Sequence, residues 1–232
     1  METIIIIPSR MASTRFPNKP MALIHGIPMI GHCYLRSILC NRLDKVYVAT
    51  CDKEIFNYIN SFKGKVVMTK KSHQRASDRS AEALVKIEKE KKFKFNAVVM
   101  VQGDEPMLSP TVIDQVAYNL VNSDMHVATL CEKIESESLY FDPNCVKVVY
   151  NSRGKALYFS RSPIPAFRKN EEIDLSICCR HIGIYAYRVS FLKKYSQMDN
   201  SILEEAEKLE QLTILNEGID IHVELACGST GY

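Results

Sequence analysis

The stretch Ile4-Ile5-Ile6-Ile7-Pro8-Ser9-Arg10-Met11-Ala12-Ser13-Thr14-Arg15-Phe16-Pro17-Asn18-Lys19-Pro20 decides the fold. A short run of β-branched apolar residues predicts an internal strand covered on both faces, as in a parallel sheet. Pro8, Pro17 and Pro20 interrupt the segment after the isoleucines, so no helix is expected to start before Pro20. The strand therefore leads into a stiff loop that carries Arg10, Arg15 and Lys19 and no carboxylate. Open α/β sheets bind phosphates at the carboxyl edge of such strands. Guanidinium groups grip phosphate oxygens in pairs, and a lysine serves as a point charge. A solvated basic loop is the alternative. The prolines and the strand context favour a phosphate site built from Pro8, Ser9, Arg10, Arg15 and Lys19.

Working outward, strands are expected at Val46 to Thr50, Lys65 to Met68 and Ala97 to Val101. Between them, helices are expected to start at Pro28, after Asp52 as cap, and after Ser77 or Asp78 as cap, the last running from Arg79 to about Lys91. A further helix starts at Pro110. This alternation predicts an α/β fold: a mostly parallel, Rossmann-like nucleotide-binding sheet with helices on both faces. After about Leu130 the pattern changes. Val146 to Tyr150 and Ala156 to Ser160 flank Ser152-Arg153-Gly154 as a hairpin, His181 to Tyr187 is a further strand, Leu203 to Leu215 is helical in period, and Ile219 to Leu225 returns to a strand. The second half reads as a smaller antiparallel lobe, with the final strand rejoining the sheet. The expected division of the single domain is 1–130 for nucleotide binding, 131–218 for the smaller lobe, and 219–232 for the final strand.

Composition narrows the function classes. A net charge of +3 over 232 residues is too small to imply nucleic-acid binding. No apolar run approaches the length that spans a bilayer, and the start lacks the pattern of a signal peptide, so a cytoplasmic protein without membrane insertion is expected. Eight scattered cysteines without a C-x-x-C pair read as free thiols rather than disulfides or a zinc site.

Two more segments carry chemistry. Val98-Val99-Met100-Val101-Gln102-Gly103-Asp104-Glu105-Pro106 again places polar residues at the end of an apolar strand. Gln102 and Gly103 would border a nucleotide there, with Gly103 allowing close approach of a ligand or an unusual dihedral. Asp104 would offer an oxygen to Mg²⁺, which uses one or two carboxylates plus substrate phosphates. Spacing alone fits a turn and helix start equally well. In His73-Gln74-Arg75-Ala76-Ser77-Asp78-Arg79, Arg75 and Arg79 can reach phosphate, while the backbone of Ala76 and Ser77 can read a base edge. An N-cap with surface arginines is the simpler reading of that segment taken alone.

Several motifs together resemble the 3-deoxy-manno-octulosonate (Kdo) cytidylyltransferases. They are Pro8-Ser9-Arg10 with Ser13-Thr14-Arg15, Pro17 and Lys19-Pro20, then Pro28-Met29-Ile30, Val48-Ala49-Thr50, Val101 to Met107, Asn144, Val146 to Val149 and Leu157 to Arg161. Arg180-His181-Ile182-Gly183-Ile184-Tyr185 and Leu209-Glu210-Gln211-Leu212 complete the set. The resemblance implies a homodimeric, Mg²⁺-dependent enzyme that joins CTP to an acidic keto-sugar, with dimer contacts at the hairpin. It implies Arg10, Lys19 and Asp104 in catalysis, and Arg161, His181, Tyr185, Glu210 and Gln211 in the sugar pocket. Without it, Arg161 reads as a brace for the hairpin, His181 as a core histidine and Glu210 as part of a solvated helix face.

The chain departs from the family pattern in two places. Arg75-Ala76-Ser77 stands where Ser-Gly-Thr is usual, which is expected to alter nucleotide grip or sugar preference. The family also carries a second metal-binding aspartate just beyond the segment matched by Gly228-Ser229-Thr230-Gly231, whereas this sequence runs to Tyr232. A C-terminal helix missing from the chain is the expected reason. A cytidylyltransferase for another ulosonic acid and a non-catalytic nucleotide binder are the alternative functions.

Overall fold

Ile4 to Ile7 lie in β1 (Thr3–Ser9), and all four side chains are fully buried. Because successive side chains alternate across a strand, Ile4 and Ile6 join one core and Ile5 and Ile7 the other. Complete burial of each isoleucine contributes roughly 1.5–3 kcal/mol of transfer free energy. The computed structural model describes residues 1–11, 16–41, 43, 45–168 and 172–228. Arg15 and Ser229 to Tyr232, each named among the expectations from sequence, lie outside the described residues.

The remaining strands are β2 (Leu23–Ile24), β3 (Ile27–Pro28), β4 (Val46–Thr50), β5 (Val66–Met68), β6 (Ala97–Val101), β7 (Val127–Lys133), β8 (Lys147–Tyr150), β9 (Ala156–Ser160), β10 (Cys179–Arg188) and β11 (Ile221–Leu225). The helices are α1 (Met29–Ser37), α2 (Lys53–Ser61), α3 (Ala76–Lys91), α4 (Pro110–Val121), α5 (Glu137–Phe141), α6 (Val189–Tyr195), α7 (Ile202–Glu207) and α8 (Gln211–Asn216). The main sheet has the order β11-β7-β10-β6-β1-β4-β5, with the β8–β9 hairpin attached through β10. β1, β4, β5 and β6 pair in parallel, as do β7 and β11, whereas β10 runs antiparallel to both β6 and β7. The fold is thus α/β with a mostly parallel sheet. β10, read from sequence as part of the smaller lobe, lies in the middle of that sheet.

Three local expectations are corrected. Asp52 occupies the cap position of α2, but its carboxylate accepts from the Met11 amide at 2.9 Å instead of capping the helix. α3 begins at Ala76 with Arg75 at the cap position, so neither Ser77 nor Asp78 caps it. The helix expected from Leu203 to Leu215 is broken into α7 and α8, because Lys208 takes a left-handed conformation with φ 55°. All eight cysteines are free thiols, and Cys33, Cys131, Cys178 and Cys179 are buried. No helix among the described residues is long and apolar enough to cross a membrane.

Candidate active site

The carboxyl ends of β1 and β6 lie side by side, and the loop before α3 faces them across a cavity of about 260 Å³. Pro8, Ser9, Arg10, Lys19, Ala76, Arg79, Gln102, Gly103 and Asp104 all line it. Gly103 has no left-handed φ, so an unusual dihedral is not what requires the glycine; close packing is. A β-carbon there would stand 2.9 Å from the Pro8 carbonyl oxygen and 3.0 Å from Ser9 Cβ, so the glycine lets the β6 turn close onto the end of β1.

Lys19 starts a short 3-10 turn after Asn18, which has a left-handed φ of 59°. That turn aims its ammonium at Asp104, 2.8 Å from Oδ2. Both side chains remain open to solvent, 36% and 52% exposed, so the pair bridges the first and second motifs at the mouth of the cavity without being buried. Arg10 is exposed and reaches the His73 carbonyl at 3.4 Å. Arg79 is buried, with Nη1 donating to Thr69 Oγ1 at 2.5 Å, while its Nη2 and the Ser9 hydroxyl are buried without a partner. Cationic and unpartnered polar groups thus converge on this cavity.

A second cavity of about 520 Å³ opens from the first, sharing Arg10, Gln74, Arg75, Ala76 and Gln102 with it. Its other walls include His181, Gly183, Tyr185, Glu210 and Gln211. His181 and Tyr185 reach it because β10 bulges between Ile182 and Tyr185, which places the two rings 5.2 Å apart. The Thr129 hydroxyl donates to the Ile184 carbonyl at 2.6 Å, so the His181 Nε2 contact at 3.0 Å is a donation to Thr129. Nδ1 is then an acceptor. Burial, with a contribution from Arg180, pushes the imidazole down to about 3, which keeps it neutral near pH 7.

Glu210 Oε2 accepts from the Ser77 hydroxyl at 3.1 Å, linking the start of α3 to the far wall. Glu210 Oε1, Gln211 Nε2 and the Tyr185 hydroxyl are buried without partners. Burial raises the Glu210 carboxyl to about 7; the Ser77 hydrogen bonds oppose that rise, and Asp78 and Glu204 add to it. The folded state holds this proton where the unfolded chain has lost it, so the stabilisation is complete below pH 4.5 and vanishes as pH rises through 7. The ligand-free protein should lose about 3 kcal/mol over that range. Glu210→Gln should flatten the decline. Urea unfolding from pH 5 to 8 checks this, and parallel curves for the two proteins would refute it.

Two expected contributions stand elsewhere. Arg161 does not line either cavity: Nε donates to the Glu207 carbonyl at 2.7 Å and Nη1 to the Pro143 carbonyl at 3.0 Å, bracing the hairpin. Arg75 lines both cavities, but its guanidinium is bound to Glu204 on the wall of the second. Ser77 is fully buried and faces Glu210. Sequence reading missed Glu204, Asn200 and Lys208 on the second cavity wall. One signal was present: Ser201-Ile202-Leu203-Glu204 has the spacing of a helix start, and Ser201 Oγ does accept from the Glu204 amide.

A mostly parallel sheet whose carboxyl edge carries a cationic cavity opening onto a second, polar one defines a nucleotidyltransferase. The sequence profile of the cytidylyltransferase family matches residues 4–221. A 3-deoxy-manno-octulosonate cytidylyltransferase of Ruthia magnifica subsp. Calyptogena magnifica is 48% identical over 100% of this chain and 93% of its own length. One from Thermodesulfovibrio yellowstonii is 43% identical, covering 97% and 90%. The structure of a CMP:2-keto-3-deoxy-manno-octonic acid synthetase complexed with CTP superposes with a TM-score of 0.87 at 39% identity, covering 97% of this chain and 90% of that one. A 4-diphosphocytidyl-2C-methyl-D-erythritol synthase, at 10% identity and a TM-score of 0.64, shares the fold alone. The chain belongs to the 3-deoxy-manno-octulosonate cytidylyltransferase family of CTP-dependent nucleotidyltransferases.

Proposed function

We propose that this chain transfers CMP from CTP to the anomeric hydroxyl of Kdo and releases pyrophosphate, for the synthesis of surface polysaccharide or lipopolysaccharide. The observation that carries the reading is the continuity of the two cavities through Arg10, Gln74, Arg75, Ala76 and Gln102. A triphosphate in the first and a polyhydroxylated acid in the second would meet at that shared wall. The unpartnered Tyr185 hydroxyl, Glu210 Oε1 and Gln211 Nε2 suit a sugar rich in hydroxyls, which supplies both donors and acceptors.

The anomeric oxygen attacks the α-phosphorus, the bond to the bridging oxygen of the β-phosphate breaks, and pyrophosphate departs with that electron pair. The attacking hydroxyl gives its proton to solvent water. Arg10 and Lys19 stabilise the charge that accumulates on the leaving group, Arg10 from the end of β1 and Lys19 from the short turn after Asn18. Neutral His181 accepts a hydrogen bond at Nδ1 and orients a sugar hydroxyl.

A divalent ion, Mg²⁺ in this reading, fits the donor set at Asp104. Among the described residues there is no group of three or more His, Cys, Asp or Glu side chains able to hold a metal. A single exposed carboxylate beside a phosphate site matches an ion that takes most of its ligands from substrate oxygens and water. When bound, the ion would supply positive charge to the triphosphate, held on the protein side by Asp104. Asp104→Asn should raise the metal concentration needed for half-maximal rate about tenfold or more, the amide being a weaker ligand. An unchanged metal dependence would return Asp104 to the role of ion-pair partner to Lys19.

Pyrophosphate release from CTP, Mg²⁺ and a panel of ulosonic acids tests the whole reading. Release with Kdo is expected. Release with a sialic-acid-like sugar or an amino-Kdo but not Kdo would move the substrate, and CTP binding without release from any sugar would make the chain a nucleotide binder. The homodimer is part of the same proposal, with the β8–β9 hairpin at its contact; a monomer by light scattering would contradict it.

A further inference from the structure

Arg75 lies on the wall common to both cavities, and its guanidinium is paired with Glu204 on the wall of the second. Nε and Nη2 donate to the two carboxylate oxygens of Glu204 at 2.9 and 2.7 Å, and Nη1 donates to the Met198 carbonyl at 2.9 Å. The Arg75 and Glu204 side chains are only 5% and 10% exposed. The guanidinium also lies 5.4 Å from the centre of the Tyr195 ring, and the Tyr195 hydroxyl donates to the Glu210 carbonyl at 2.5 Å.

The same carboxylate takes a third donor from α8, the Thr213 hydroxyl at 2.6 Å. Two residues after Arg75, Ser77 donates to Glu210 Oε2. The start of α3 therefore holds the α7–α8 turn on both sides of the left-handed Lys208: by Glu204 before it and by Glu210 after it. That turn delivers Glu210 and Gln211 to the second cavity. α7 and α8 are six residues each and depend on tertiary contacts: Ser160 and Arg161 hold Glu207, buried Leu209 and Leu212 seat the turn in the core, and the clamp ties it to the start of α3.

We infer that Arg75 is a positioning residue for the sugar half of the cleft: through Glu204 and Tyr195 it locks the α7–α8 turn onto the start of α3, so that Glu210 and Gln211 meet an acidic sugar in a fixed geometry. Its charge, neutralised by Glu204, contributes nothing to holding the triphosphate. A planar fork of donors fixes direction as well as distance, which a lysine cannot reproduce. The inference rests on the transferase reading of the site.

The test is steady-state kinetics with CTP and Kdo varied separately. Arg75→Met combined with Glu204→Leu exchanges a buried ion pair for apolar side chains of similar size, a replacement that keeps proteins folded. Thermal unfolding confirms that this variant is native. The KM for Kdo should rise about tenfold or more, as expected when a binding group is left loosely placed, while the KM for CTP stays within about twofold. Arg75→Lys should lie between this variant and the wild type. Glu204→Gln, which keeps the shape of the partner, should shift the Kdo KM in the same direction and stands in if the double variant does not fold. A CTP KM that rises as much as the Kdo KM would make Arg75 part of the nucleotide grip and overturn the inference; so would two unchanged KM values. A wild-type protein that releases no pyrophosphate with any ulosonic acid would overturn the transferase reading itself, and the inference with it.

Discussion

Lys19→Ala should lower kcat/KM by about 10²–10³-fold, the loss seen when one preorganised group facing developing charge is removed. Its ammonium stands at the mouth of the phosphate cavity, on a turn set by Asn18 and Pro20, and needs little reorganisation to meet a leaving pyrophosphate. Arg10→Ala should fall in the same range. Stability should hardly change: the Lys19–Asp104 pair is about a third to a half exposed, and such surface pairs contribute roughly 0–1 kcal/mol. Turnover by pyrophosphate release, alongside urea midpoints, separates the two effects. Wild-type turnover in either variant would remove that residue from the phosphate site, and a large loss of stability would make it a structural residue.

Lys147→Met should cost about 3–5 kcal/mol of folding stability, the range for breaking a buried charged network. Lys147 is fully buried, yet no carboxylate meets it. Its ammonium donates instead to three backbone carbonyls: Asp142 at 2.9 Å, Cys145 at 2.6 Å and Arg161 at 2.7 Å. Burial pushes its pKa below the ordinary lysine range, but three acceptors match the three hydrogens of the charged form. Methionine fills much of the space and supplies no donor, which orphans three acceptors at once. Urea midpoints for the two proteins measure the change, and a difference under about 1 kcal/mol would mean that water replaces the ammonium. The same three bonds join the loop before β8 to the end of β9, where Arg161 braces the hairpin.

The first half of the chain was legible because its elements are governed by local rules. β4 and β6 coincide with the apolar runs, and α4 begins at Pro110, where a missing amide hydrogen matters least. Pro8, Ser9, Arg10, Lys19, Gln102, Gly103 and Asp104 meet in one cavity because they end or follow two strands that neighbour each other in the sheet. The second half was less legible. β10 reads as an ordinary strand; Gly183 inside it is a local mark of the bulge, but which side chains the bulge brings into one cavity, His181 and Tyr185, is not written there. The break at Lys208 is equally silent, since lysine has no preference for a left-handed backbone and the apolar spacing runs on across it.

The order of the strands in the sheet was not readable in the chain alone, whereas the parallel sheet, the cationic loop at its carboxyl edge and, through the motifs, the family were. Each of these rests on near neighbours: side-chain alternation, proline's fixed φ, and charges a few residues apart. Only the tertiary structure decided what the charges meet. Arg10, Arg75 and Arg161 look alike in the sequence as cations beside a predicted site. In the fold one stays exposed in the cleft, one is bound by a glutamate 129 positions further on, and one turns to the carbonyls of Pro143 and Glu207. A guanidinium goes to whichever acceptors it meets away from water, and those acceptors are brought to it by chain segments far away in sequence.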